Sequence, residues 1–359
     1  MTTQARVRLL LVFNIGAVLL LIAANVWQRN AHIVPRIQPT YAQMHDPTVL
    51  GYCREMQIAL SDGAFDRLEA EAHRLTALKD RIPGGIERLV YFYTVLTSPG
   101  CYGYDCKADY RPLERRLQDW LNRVPEQPTA WIANARFWDY FAWTAKGCGE
   151  YHDAGFDQWQ TFYDRVRIAR SFLRHPGLRS DPAYYMIALE LLRDSGGTRQ
   201  QIDAMFHEGH EAFPRFLGLD TDYASLLNTG WYGNAGDIGW FAETLLDDPG
   251  GEDGQIAYAV VTEEAASYVA YPHLFLETGL TWSKAKPGID LIQRRYGASN
   301  YDWNMYCYMA IVAIDRPAAL DAYRHFAPIW NPDVWHDADF YYEQGLPWIT
   351  SGELHGAPR

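Results

Sequence analysis

Residues 181–201, DPAYYMIALELLRDSGGTRQQ, contain the start and stop signals of two consecutive helices. Asp181 is a favourable N-cap, and Pro182 suits the first turn of a helix, where its missing N–H leaves no hydrogen bond unmade. A glycine pair then ends the helix, and Thr198 with Gln201 forms the capping-box pattern that starts another one. Two helices joined by so short a turn form a hairpin. The stretch therefore predicts a helix–turn–helix unit.

The same organisation continues on both sides of this unit. Apolar residues recur every three or four positions after residue 50, and strand-like alternation is nearly absent. In residues 129–143, for example, Trp131 and Trp138 share one face, and Thr129 is a candidate N-cap. Residues 50–350 are therefore expected to be all-α, with stacked antiparallel hairpins that form a degenerate tetratricopeptide-like α-solenoid. A closed α/α toroid fits the same pattern and stays open as an alternative.

The N-terminal segment is the clearest targeting signal. Residues 9–27, LLLVFNIGAVLLLIAANVW, follow two arginines and approach membrane-spanning length at ~1.5 Å per residue. We expect residues 1–27 to be an uncleaved single-pass anchor in a bacterial inner membrane, with the body in the periplasm; a cleaved signal peptide is the alternative. Residues 28–49 are expected to be a Pro-rich linker and residues 351–359 a flexible tail.

The charge of the chain limits the class of partner. The protein has 359 residues and a formal net charge of −12, and it has no dense basic run after the N-terminus. A protein that binds the phosphate backbone of a nucleic acid needs an excess of positive charge. The negative net charge therefore argues against nucleic acid as a partner. An acidic protein can instead neutralise a basic protein or peptide.

The five cysteines fit an oxidising compartment. Cys101 and Cys106 lie five positions apart in CYGYDC, which favours a short disulfide-closed loop over a metal-binding pair. The partners of Cys53 and Cys148 stay open. Cys307, within MYCYMA, is expected to be a small buried hydrophobic residue.

The segment MFHEGHEAFP, residues 205–214, raises the question of a zinc site. Zinc proteases place two histidines four positions apart, whereas His207 and His210 are three apart. The apolar residues around them, including Ile202 and Phe206, define a buried helix face from which His207 points away and which His210 only borders. We therefore expect a structural helix with no metal and no cofactor. A metal-dependent hydrolase that uses the two histidines is the competing hypothesis.

No other motif indicates catalysis. The glycine-rich segment GWYGNAGDIGWF lacks the G-K-[ST] of a phosphate-binding loop and favours a turn before a helix that starts at residue 237. Glu263 and Glu264 are adjacent and would point about 100° apart on a helix, so their spacing does not predict an acid/base pair.

Two segments carry a resemblance to a known family. AWTAKG, residues 142–147, and the later Trp231-Tyr232-Gly233 turn, with the order of helices between residues 50 and 270, resemble the bacterial domain-of-unknown-function family four thousand and thirty-four. Members of that family are helical and tetratricopeptide-like, so the resemblance implies the fold and brings no activity.

The residues in and beside these two segments are the predicted binding surface, namely Trp143, Lys146, Trp231 and Tyr232. We expect a membrane-anchored periplasmic protein that is not an enzyme and binds another protein or peptide, as an adaptor or as an immunity protein that neutralises a toxin. The alternative is an enzyme that acts on glycans or the cell wall from an α/α scaffold.

Overall fold

The structure is a computed structural model. It describes residues 41–99, 106–147, 154–269, 272–335 and 338–351. Across these ranges the regular secondary structure is helical and the chain forms no strand; a single isolated bridge pairs Arg81 with Glu87. The prediction of an all-α protein built from many packed helices is confirmed.

Fourteen helices of nine or more residues form the described body. They are α1 (Pro47–Ser61), α2 (Phe65–Leu75), α3 (Arg88–Thr97), α4 (Arg111–Arg123), α5 (Pro128–Trp143), α6 (Phe156–Phe172), α7 (Pro182–Asp194), α8 (Arg199–Ala212), α9 (Leu217–Leu226), α10 (Asp237–Leu245), α11 (Gly251–Tyr268), α12 (Trp282–Tyr296), α13 (Asn300–Val312) and α14 (Arg316–Phe326). Shorter α-helical segments are Tyr41–Met44, Leu274–Glu277, Pro332–Trp335 and Leu346–Ser351. Single turns of 3-10 helix are Thr144–Lys146 and Leu178–Ser180, and π-helical segments are Leu246–Gly250 and Phe340–Gly345.

The odd-numbered helices pack against one another in chain order. Contacts run from α1 to α3, from α3 to α5, and onward through α7, α9 and α11 to α13. Each even-numbered helix packs against at least one of the odd-numbered helices next to it in sequence. The body therefore consists of helix pairs whose first members form a continuous layer.

The first and last parts of the described body meet. The side-chain amide of Asn331 donates a hydrogen bond to the carbonyl of Met44, with an N–O distance of 3.4 Å. The N–H of Gly84 donates to the carbonyl of Gly297 over 3.2 Å. The two ends of the described body are therefore in direct contact, as in a closed helical array.

The stretch that predicted the fold has the expected local structure. Asp181 caps α7 and accepts a hydrogen bond from the N–H of Ala183 over 2.9 Å. Thr198 and Gln201 form the capping box of α8, in which the Thr198 N–H donates to the Gln201 side chain over 2.8 Å. These signals depend only on residues a few positions apart, which is why the sequence alone reveals them.

Two predicted helix starts differ from the observed ones. α5 begins at Pro128, and Thr129 is buried inside its first turn instead of capping it. α1 begins at Pro47, where Asp46 caps it by accepting from two backbone N–H groups. Residues 46–49 therefore belong to the helical body, whereas the predicted linker, 28–49, included them; residues 28–40 lie outside the described part.

Glu87 joins the start of α3 to the start of α9. Its side chain is fully buried, pairs with Arg81 at 2.9 Å, and accepts from the N–H groups of Leu217 and Gly218 over 3.2 Å each. Burial raises the pKa of Glu87 to about 7, against the opposing effects of Arg81 and the backbone donors. An acceptor at a helix N-terminus satisfies otherwise unpaired N–H groups, so this contact fixes the loop before α3.

Several predictions fall on residues outside the described ranges. Cys53 and Cys106 are each disulfide-bonded, and Cys101 and Cys148 lie outside these ranges. The predicted pairing of Cys101 with Cys106 therefore stays a prediction. Cys307 is buried, as predicted, and is a free thiol. Among the described residues, no helix combines the length and the apolar character needed to cross a membrane, and the predicted anchor at 9–27 is not among them.

Candidate functional site

A cavity of about 410 Å³ lies where the two ends of the body meet. Six carboxylates from separate parts of the chain line it, and they are Asp46, Asp222, Glu263, Glu264, Asp302 and Asp333. The described lining contains no lysine and no arginine. We refer to this space as the acidic cavity.

Five of the six carboxylates are placed by long helices. Asp46 caps α1, and Asp222 lies in the second turn of α9. Glu263 and Glu264 follow one another in the C-terminal half of α11, and Asp302 is in the first turn of α13. The cavity therefore forms only when the beginning, middle and end of the body pack together.

Asp302 is held in a defined orientation. Its carboxylate accepts from the N–H of Ser299 over 2.6 Å, and its own N–H donates to the Ser299 hydroxyl over 3.3 Å, which completes a capping box. Gly84 lies against the same carboxylate with a φ of +88°, and a Cβ at this position would be 2.6 Å from Asp302 Oδ1. The close approach and the positive φ together require glycine here.

Burial raises the pKa of the deep carboxyls. The pKa of Asp222 is raised to about 7, although the charges of Arg136 and Arg193 oppose the shift. The pKa of Glu264 is raised to about 7 by burial and by Asp222, and that of Glu263 lies well above its usual range because of burial and Asp302. Because removal from water disfavours a carboxylate, a bound cation would stabilise the charged forms.

The predicted binding residues lie together at a second place. The guanidinium carbon of Arg193 is 5.3 Å from the ring centroids of both Trp143 and Trp231. Lys146 Nζ lies 4.8 Å from the Trp143 ring, and the Tyr232 hydroxyl donates to the Arg193 carbonyl over 3.4 Å. We refer to these five residues as the Trp143–Trp231 cluster. Arg193, its central member, was not predicted.

Hydrogen bonds and charges hold the cluster in place. Arg193 pairs with Asp194 through two N–O contacts of 2.6 and 3.1 Å, and Trp143 Nε1 donates to Asp194 over 2.8 Å. Asp139 is buried beside Asp194, and burial followed by that neighbouring charge raises its pKa well above its usual range. Trp231 keeps 46% of its surface exposed. The cations near the two tryptophan rings are Lys146 and Arg193 of this chain. Because Trp143 already has cationic partners within the protein, a structural role is favoured for it.

Asp222 connects the cluster with the acidic cavity. It lines the cavity, and its carboxyl also experiences the charges of Arg193 and Arg136. Arg136 pairs with Glu190 on α7. Asp222 Oδ2 is buried, and no hydrogen-bond partner for it exists among the described residues. Asp222 therefore lines the cavity and also has one carboxylate oxygen that the described residues leave without a hydrogen bond.

The histidines of MFHEGHEAFP do not face a common ligand. His207 is exposed, and His210 Nδ1 lies 3.3 Å from Asp220 Oδ1. Ile202 and Phe206 are buried, as the helical pattern predicts. The hydrogen bond to Asp220 raises the pKa of His210, against the opposing effect of burial. In the part of the chain that the structure describes, no three histidine, cysteine, aspartate or glutamate side chains are grouped to hold a metal ion.

Comparison with family models, curated proteins and solved structures finds no match to this chain. The resemblance based on residues 142–147 and 231–233 therefore stays a prediction.

Sequence reasoning missed the acidic cavity. It set aside Glu263 and Glu264 because adjacent residues on a helix diverge, yet both line the cavity. The signal that could have indicated them is a pair of glutamates within the apolar segment AYAVVTEEAASY, where a charge is unusual unless it serves a site.

Proposed function

We propose that the chain is a membrane-anchored periplasmic protein whose acidic cavity binds a basic part of another protein or peptide. The observation that carries this proposal is the convergence of six carboxylates on one cavity whose described lining has no lysine and no arginine. A like-charged cavity is unfavourable when empty of cations, and a positively charged partner offsets that cost.

The overall charge supports the same assignment. A net charge of −12 attracts basic partners over several ångströms and accelerates their association at low ionic strength. The paired helices support a degenerate tetratricopeptide-like solenoid, an architecture that often presents binding surfaces. Within this proposal, residues 9–27 anchor the protein in the inner membrane, and the body serves as an adaptor or as an immunity protein that neutralises a basic toxin.

The test is a cross-linked capture with the full-length chain in mild detergent. Wild type is compared with the double variant Asp222→Asn/Glu264→Gln, and proteins retained from an envelope extract are quantified by mass spectrometry. We expect one dominant basic protein in near-equal amount with wild type, and at least a tenfold loss with the double variant. Capture should also weaken as salt rises, because exposed charge interactions are screened.

The matched control is Glu126→Gln/Glu211→Gln. Both of these glutamates are exposed, and the double substitution changes the formal net charge by the same amount. It should retain the partner. Equal capture by all three proteins, or no capture by any of them, would reject the proposal.

A second candidate function is glycan hydrolysis by cavity carboxyls. Glycosidases combine a protonated carboxyl with an ionised one, and the raised pKa values of Asp222 and Glu264 place both protonation states near neutral pH. Tyr91 and Tyr301 also line the cavity and could contact a sugar ring. Release of reducing ends from cell-wall glycans by wild type, and its loss in Glu264→Gln, would favour the enzyme over the binding protein.

A further inference from the structure

The acidic cavity has two chemically different kinds of lining. Besides its carboxylates, it is lined by aliphatic side chains, which are Val49, Ile82, Ile86, Val90 and Val260. An inorganic cation gains nothing from such a wall. A ligand with a hydrocarbon chain and a charged end contacts both parts favourably.

The charged end of such a ligand has a defined destination. Asp222 lines the cavity, and its buried Oδ2 has no hydrogen-bond partner among the described residues. Glu264 lies close enough to Asp222 for the charge of Asp222 to contribute to its raised pKa. The charge of Asp302 contributes to the raised pKa of Glu263 in the same way. A donor group that enters here meets acceptors from α9, α11 and α13.

The arrangement of these acceptors favours an ammonium group over a guanidinium group. Carboxylates from different helices approach from different directions, and a rotatable ammonium with three donors can satisfy several of them at once. A guanidinium is planar and best suited to one carboxylate held in a fork geometry. In this protein Asp194 provides such a partner to Arg193, whereas the cavity carboxylates come from separate segments.

We propose that the group bound in the acidic cavity is one lysine side chain of the partner, with its methylenes against the aliphatic wall and its ammonium at Asp222 and Glu264. This inference rests on the proposed function and names the group that the cavity recognises. Lysine carries its ammonium on a flexible four-carbon stem. The methylenes of the stem can therefore contact the aliphatic wall while the ammonium reaches the carboxylates.

The test uses isothermal titration calorimetry of the full-length chain at pH 8 with small probes. The first probe is Nα-acetyl-lysine methylamide. Its matched control is the same compound acetylated on Nε, which has the stem without the charge. We expect the charged probe to bind at least tenfold more tightly. The arginine analogue and calcium chloride should each bind more weakly than the lysine probe.

Variants locate the binding. Asp222→Asn and Glu264→Gln should each weaken the lysine probe at least fivefold, and Glu211→Gln should leave it unchanged. The inference would be overturned if the lysine probe and its Nε-acetylated control bound equally, or if the arginine analogue or calcium bound more tightly than the lysine probe. It would also be overturned if neither cavity variant weakened binding of the lysine probe. If partner capture depends on the cavity carboxylates while the lysine probe does not bind, only this inference fails. If capture is also independent of them, the proposed function fails as well.

Discussion

The N–H of Gly84 donates a hydrogen bond to the carbonyl of Gly297 over 3.2 Å, and this contact joins the loop before α3 to the loop after α12. The same glycine lies against Asp302 in the acidic cavity. The closure of the helical body and the shape of the candidate site therefore depend on the same residue.

Substitution Gly84→Ala should destabilise the protein by about 2–4 kcal/mol, because a positive φ and a close contact with Asp302 act together. The control is Gly177→Ala, since Gly177 has a φ of +91° but no atom within 4 Å of the added Cβ. It should cost only about 1 kcal/mol. Thermal unfolding followed by circular dichroism measures both. Equal destabilisation of the two variants would show that the contact with Asp302 contributes nothing.

Substitution Glu264→Gln should change the pH dependence of stability. The folded-state pKa of Glu264, about 7, is raised above its ordinary value of 4.5. Its favourable contribution is therefore complete below about pH 4.5 and is lost as pH rises through about 7. The variant should gain stability relative to wild type between pH 5 and pH 8, by on the order of 2 kcal/mol. Unfolding temperatures across this range provide the measurement.

For the pH experiment, the comparison variant is Glu211→Gln, which removes an exposed carboxylate from α8. Its stability relative to wild type should stay constant over the same pH range. A stability difference for Glu264→Gln that does not vary with pH would contradict the raised pKa.

Substitution Trp143→Phe should destabilise the protein by about 1–3 kcal/mol. It removes the hydrogen bond to the buried Asp194 and weakens the contact with the Arg193 guanidinium. Trp240→Phe is the control, since Trp240 is 65% exposed and should change stability by no more than about 0.5 kcal/mol. Chemical denaturation of both variants measures the difference. If Trp143→Phe is as stable as wild type, the Trp143–Trp231 cluster is not a structural unit.

How far the sequence predicts this protein depends on the distance over which each signal acts. Asp181 and Thr198 cap their helices through atoms a few residues away, and both were predicted correctly. Thr129 was predicted as a cap, but Pro128 had already started the helix there. Local patterns thus identify the helices well and their first residues less well.

The candidate site could not be predicted in the same way. The acidic cavity combines residues from Asp46 to Asp333, and no periodic pattern relates positions so far apart. Helical spacing describes α11 as an isolated helix, whereas in the folded body α11 packs against α9, α10, α12 and α13. Arg193 was missed for a related reason, because its two tryptophan neighbours, Trp143 and Trp231, lie far from it in sequence.

The contact between Asn331 and Met44 has a consequence for biosynthesis. Residues near Met44 leave the ribosome early in translation, and Asn331 follows only after nearly the whole described body has been made. Until then, Asp46 lacks the neighbours that complete the site, and the aliphatic side chains beside it have no cover. A chain that stops prematurely would expose this surface to proteases and chaperones. Under the proposed function, partner binding would therefore require that synthesis of the body is complete.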